Sequence, residues 1–287
     1  MQPFTIHPET SLGPVRLMVA DLKRSLEFYS GLLGMQATPR GDGTVGVGAG
    51  ETTLLLLAEQ PGAQPKPPQA TGLYHVALLL PSRPDLGRMI QRFAETRYPL
   101  SGASDHLVSE ALYLNDPDGN GLEIYADRPR ETWVYAHNQV RMVVDPLDID
   151  DILGEIADDS TRWSGMPIGS RVGHVHLQVH DLPSSEAFYC GVLGFDVVAR
   201  YGPGALFVSA GGYHHHLGLN TWAGVGAPPP PTDAAGLGYL TIQLPNRVAR
   251  DAVVARAHEA GVASKEIAHG ILVRDPAQNG ILISSPT

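Results

Sequence analysis

Residues 106–123 read HLVSEALYLNDPDGNGLE and hold a histidine, a tyrosine and a glutamate, His106, Tyr113 and Glu123, on two strand-like runs. The runs are joined by a tight turn, Asp116-Pro117-Asp118-Gly119-Asn120-Gly121. Glu123 stands in the apolar run Gly-Leu-Glu-Ile-Tyr, where an unpaired carboxylate is costly to bury. A metal ion would resolve that cost, and an exposed strand edge would do so too. Histidines cluster elsewhere: six of the twelve lie between His174 and His216. The chemistry these types suggest is metal binding beside acid–base catalysis.

The elements that must position these residues come from an internal repeat. GPVRLMVADLKRSLEFYSGLLGM from Gly13 and GHVHLQVHDLPSSEAFYCGVLGF from Gly173 coincide at one constant spacing. The matched residues are Val15/Val175, Leu17/Leu177, Asp21-Leu22/Asp181-Leu182, Phe28-Tyr29/Phe188-Tyr189 and Leu33-Gly34/Leu193-Gly194. A second pair follows, LYHVALLLP at Leu73 with LGYLTIQLP at Leu237, then NDPDGNGLEIY at Asn115 with RDPAQNGILIS at Arg274. The fourth copy is shorter in a loop. Four copies of one module are therefore expected, each reading strand, helix, then strands. Asp21 and Asp181 read as helix N-caps, with the helices ending near Gly34 and Gly194. Cys190, on the second of these helices, reads as core packing.

The Tyr113/Glu123 motif with its preceding histidine resembles the signature of extradiol ring-cleaving dioxygenases of the catechol 2,3-dioxygenase type, departing at Ser104. The βαβββ module resembles that of the vicinal oxygen chelate superfamily, which includes glyoxalase I, bleomycin- and fosfomycin-resistance proteins and extradiol dioxygenases. The resemblance implies an α+β fold in which four such modules form two cup-like mixed sheets. It implies an N-terminal domain over 1–130 (modules 11–60 and 72–128), a linker over 131–169, and a C-terminal domain over 170–287 (modules 170–223 and 236–287). Pro-rich stretches at 60–70 and 227–231 separate the modules within each half.

In this superfamily metal ligands come from the first and last strands of paired modules. Module one has Pro14 at the first-strand position, and its last strand, TTLLLLAE, offers no good ligand. Module four has Tyr239 on its first strand, Leu282 in place of the glutamate and Leu272 in place of Tyr113. Modules two and three keep His75, His174 and Glu123, the two-imidazole, one-carboxylate set that suits Fe(II), with Mn, Zn or Ni as alternatives. Better-known two-domain extradiol enzymes draw all three ligands from their third and fourth modules, so the positions that keep ligands here imply a departure: modules two and three pair across the sequence halves, and one and four pair as a scaffold. It assigns Tyr113 and His106 to substrate and a histidine on module three's last strand to acid–base work. Strand parity through His214-His215-His216-Leu217-Gly218-Leu219-Asn220 puts His214 and His216 on the cup face, and His216 is chosen for that role, with His214 second. By the same parity His176 shares a face with His174.

The implied activity is Fe(II)-dependent extradiol cleavage of a small aromatic diol by dioxygen, giving a muconic semialdehyde. The rivals are a glyoxalase-type divalent-metal lyase or isomerase, in which another histidine is a fourth ligand, and a metal-free binding protein of the bleomycin-resistance type. At 287 residues with 43% hydrophobic content, the chain reads as two globular domains. A formal charge of −10 without a Lys/Arg cluster argues against nucleic acid and membrane surfaces as partners. A single cysteine and no signal-peptide pattern make the cytoplasm the expected location, and a homo-oligomer is compatible with the sequence.

Overall fold

The computed structural model describes residues 4–137, 139–159 and 161–286. The four modules build two eight-stranded mixed sheets, and each sheet takes strands from both halves of the chain. The first sheet runs Asp196–Tyr201, Ala205–Ser209, Leu217–Asn220, Arg171–Gln178, Gly72–Leu79, Gly121–Asp127, Ser109–Asn115 and Gly102–Asp105. It therefore joins module three to module two. The second sheet joins module four to module one, through Gly236–Gln243 antiparallel to Ser11–Val19. The expected pairing of the two middle modules is what the topology shows.

Modules two and three meet around an approximate dyad. Val175 pairs with Val76, and on either side His174 pairs with Ala77 and His176 with His75. Within each module the first strand lies parallel to the last, Val76 opposite Leu122 and Val175 opposite Leu217. Period-two alternation sends Val76, Leu78, Leu122, Ile124, Val175 and Leu177 into the apolar core beneath the helices, all essentially inaccessible. His75, Glu123, His174 and His176 take the opposite face, the concave one.

Asp21 and Asp181 cap their helices as expected, each side chain accepting from the backbone N–H three residues on. After one α-helical turn both helices widen into π-helical turns, Glu27–Leu32 and Ala187–Val192, which the apolar pattern does not disclose. Each widened turn carries the Phe-Tyr pair, and the tyrosine reaches the next module. Tyr29 donates to Asp116 Oδ2 at 2.9 Å, and Tyr189 to Asp275 Oδ2 at 2.9 Å. Asp116 also accepts from the N–H groups of Asp118 and Asn120 and from the Asn120 amide. Arg92 of module two and Arg256 of module four close the same joints, donating to the free carbonyls at 31–32 and 191–192. Consecutive modules thus adhere by helix and turn, while the sheets run across the halves.

Tyr29 and Asp116 are buried, so their hydrogen bond is a charge-assisted one with no water to replace it. Tyr29→Phe should lower the unfolding free energy by about 2 kcal/mol. A urea titration followed by circular dichroism checks this, and an unchanged midpoint would show that the joint carries no stability.

The segment joining the halves is well packed. Trp133, Val140, Ile152, Ile156 and Met166 are buried, and Asp105 and Asp145 bridge it to module two's edge strand. It forms one wall of the cavity described below. Among the described residues no helix is long and apolar enough to cross a membrane.

Candidate metal centre

The concave face of the first sheet encloses a cavity of about 760 Å³. On its floor His75 and His174 flank Glu123, and one ligand atom from each lies within 4.8 Å of the others. Both Nε2 atoms stand 3.1 Å from the same carboxylate oxygen, Glu123 Oε2. The three residues are 6%, 2% and 2% exposed for His75, Glu123 and His174, so this carboxylate is out of reach of bulk water.

Burial works against the charge of Glu123, yet the adjacent His174 and His75 outweigh it and hold the carboxyl well below its ordinary range. Burial likewise pushes the His174 imidazole down to about 4 against the pull of Glu123. A carboxylate beside a neutral imidazole is the protonation state a divalent cation requires of its ligands. His75 Nε2 supplies a further observation: it is buried and makes no hydrogen bond, despite its closeness to Glu123. A nitrogen lone pair left unused at a buried carboxylate fits a shared cation better than a mutual hydrogen bond. The donor set, two imidazoles and one carboxylate, suits Fe(II) and accommodates Mn, Zn or Ni.

The dyad identifies a fourth corner. Since Leu122 corresponds to Leu217, the counterpart of Glu123 is Gly218, which has no donor. The ring of His176 lies where a side chain would be: a Cβ at Gly218 would meet His176 Cδ2 and Cγ at 2.8 Å. His176 faces the cavity, and its buried Nε2 is without a partner. The protein thus provides three donors and leaves the remaining side of the cluster to the cavity.

Tyr113 pairs across the strands with Glu123 and so stands beside the cluster on the same face. Its hydroxyl lies 2.6 Å from His106 Nε2, while His106 Nδ1 lies 2.6 Å from the carbonyl oxygen of Val143. A carbonyl only accepts, so Nδ1 carries the proton and, in the neutral ring, Nε2 accepts from Tyr113. Burial, reinforced by Glu123, raises the Tyr113 hydroxyl well above its usual value, keeping it protonated. The structure therefore brings His106, Tyr113, His75, His174 and Glu123 around one cavity.

It does not bring His216 there. The strand begins at Leu217 behind bends at His214 and His216, and this irregular backbone breaks the alternation that strand parity assumes. His216 Nδ1 instead accepts from the Ala210 N–H at 3.2 Å and contacts Ser209 Oγ at 2.9 Å, pinning the preceding turn. His214 is fully buried, bonded through Nε2 to Asp127. The histidine that lines the cavity is His215, its ring centroid 4.1 Å from that of His174. The expected cup-facing position of His216 is therefore not what the structure has: His215 lines the cavity and His216 does not. Setting LEIY of module two against LGLN of module three makes Gly218 the counterpart of Glu123, so no histidine of the run falls at the glutamate's position.

Comparison with known proteins agrees with this architecture. A family model described as Glyoxalase/Bleomycin resistance protein/Dioxygenase superfamily matches residues 11–124 and 171–281. A protein of Bacillus subtilis (strain 168) named catechol-2,3-dioxygenase is 45% identical over 282 residues, covering 97% of this chain and 98% of that one. Among solved structures, a putative dioxygenase from Bacillus subtilis subsp. subtilis str. 168 superposes with a TM-score of 0.67 at 12% identity, over 98% of this chain and 86% of the other. Glyoxalase I from Zea mays superposes with a TM-score of 0.58 at 15% identity, over 96% and 92%. At those identities the superpositions speak to the fold alone. With the repeated module, the paired sheets and a relative matched over almost its whole length, the chain belongs to the glyoxalase/bleomycin resistance/dioxygenase superfamily.

Proposed function

We propose that the protein is an Fe(II)-dependent extradiol dioxygenase that opens a catechol-type ring beside its two hydroxyls, yielding a muconic semialdehyde. The observation that carries this reading is a three-donor cluster, His75, His174 and Glu123, open on one side to a cavity that also holds the Tyr113–His106 pair. The name of the Bacillus subtilis relative supports it. When bound, iron supplies chelation of the two diol oxygens and activation of dioxygen next to the ring.

The chain's own residues handle protons and orientation. The Tyr113 oxygen can accept a proton from a diol hydroxyl while its own proton passes to His106 Nε2. The carbonyl of Val143 steadies the imidazolium so formed, because Nδ1–H already donates to it. His215, which lines the cavity against His174, takes the acid–base role on the module-three side in this reading. The cavity exceeds a single catechol ring, and residues 139–144 line one wall of it.

A glyoxalase-type lyase or isomerase would use a fourth protein ligand. Gly218 at the fourth corner and the withdrawal of His216 count against that reading. A metal-free binding protein would leave Glu123 buried between two imidazoles with His75 Nε2 unused.

Iron-reconstituted protein, purified anaerobically, should consume one dioxygen per catechol and form a yellow ring-opened product. No oxygen uptake with any catechol tested would sink the proposal. Tyr113→Phe should keep its iron and lose roughly 10²-fold in turnover, because the phenol moves protons without binding metal. Parallel loss of metal and activity would show that Tyr113 had been given the wrong role.

A further inference from the structure

Behind His215 lies a hydrogen-bonded chain that the proposed chemistry has not yet used. His215 Nδ1 is 2.8 Å from His214 Nδ1, and His214 Nε2 is 3.0 Å from Asp127 Oδ1. Tyr213 donates to both oxygens of the same carboxylate at 3.1 Å, and Tyr125 bonds to Tyr213 at 2.7 Å. Asp127 is the end of the strand that carries Glu123, so one rigid element holds both the cluster and the far end of this chain.

The order of donors follows from chemistry. A carboxylate only accepts, so His214 carries its proton on Nε2 and, as a neutral ring, presents a lone pair at Nδ1. The contact between the two Nδ1 atoms needs one donor, which must then be His215 Nδ1–H. That leaves His215 Nε2 without a proton and without a hydrogen-bond partner among the described residues, in a side chain that lines the cavity. The rings of Trp133, Tyr213 and Tyr125 pack around His214 at 5.3, 4.1 and 6.1 Å between centroids, so it has little freedom to turn.

We propose that Asp127 and His214 are positioning residues: two successive hydrogen bonds hold His215 as its Nδ1–H tautomer, with the Nε2 lone pair open to the cavity. What that nitrogen then does for substrate rests on the dioxygenase reading, whereas the tautomer does not.

Two variants of His214 separate hydrogen bonding from packing. His214→Asn sets an amide oxygen close to where Nδ1 stood and retains an acceptor for His215. His214→Phe keeps the ring and its aromatic neighbours but removes the acceptor. The first readout is nitrogen-15 NMR of the imidazoles in metal-free, histidine-labelled protein, with the His215 signals assigned by their loss in His215→Gln. Wild type and His214→Asn should show the Nδ1–H form, and His214→Phe should shift toward Nε2–H. The second readout is turnover of the iron-loaded proteins at matched metal content with a catechol. His214→Phe should lose about tenfold in kcat with KM unchanged, the effect of one ordinary hydrogen bond, and His214→Asn should lose less. An Nε2–H signal in the wild type, a tautomer indifferent to His214→Phe, or His214→Phe outperforming His214→Asn would each overturn the proposal. A wild type that consumes no oxygen would instead defeat the dioxygenase reading, with the NMR result still deciding the tautomer.

Discussion

Glu123→Ala protein should emerge from anaerobic reconstitution with almost no bound iron and no ring-opening activity. The carboxylate is the atom group on which both imidazoles converge, each at 3.1 Å, so its loss removes one of three donors and the only anionic one. Removing a group that merely supports a ligand typically costs about 10–100-fold in metal affinity, so losing the ligand should cost more than about 100-fold. His75→Ala and His174→Ala should behave alike, because among the described residues only these three side chains group closely enough to hold one ion. The apoprotein should remain folded. Glu123→Ala also removes a buried charge that the two histidines more than offset, so a thermal melt of the metal-free form should move down while staying cooperative. Inductively coupled plasma analysis beside that melt checks both statements. Retained iron in a folded Glu123→Ala protein would overturn the ligand assignment.

The second large effect separates neighbouring histidines. His215→Ala should keep its iron and lose about 10²–10⁴-fold in turnover, the usual range for a general acid or base. His216→Ala should retain iron and most of its turnover, with a lower melting temperature, since that side chain holds the turn at Ser209–Ala210 rather than facing substrate. The contrast also tests the rival chemistry: in a glyoxalase-type site a histidine from this run would be a fourth ligand, and its removal would release metal. Oxygen-electrode rates normalised to iron content give the answer. If His216→Ala proved the slower enzyme, the geometric correction would be wrong.

The module pairing was readable because ligand positions survive only in modules two and three: Pro14, Tyr239 and Leu282 fill the corresponding places in the other two. The helix caps at Asp21 and Asp181 were readable because a capping aspartate acts within three residues. Strand parity through the triple histidine fails for a physical reason. Alternation holds only within a regular paired strand; the His216 backbone still bonds to both neighbouring strands, but the bends at His214 and His216 break the regular geometry that parity assumes. Local pattern was equally silent about the π-helical turns, which tertiary bonds from Tyr29, Arg92 and their module-three and module-four counterparts accompany. It was silent too about residues 139–144, whose lack of periodicity gave no sign that they wall the cavity and that Val143 would orient His106.

The ligand set is the claim from which the rest follows, and anomalous diffraction at the iron edge from anaerobically loaded crystals tests it most directly. The account predicts one peak on the concave face shared by modules two and three, coordinated by His75 Nε2, His174 Nε2 and a Glu123 oxygen, with no further protein atom bound. A peak in the cup of modules one and four, or a fourth protein ligand from the histidine run, would contradict it.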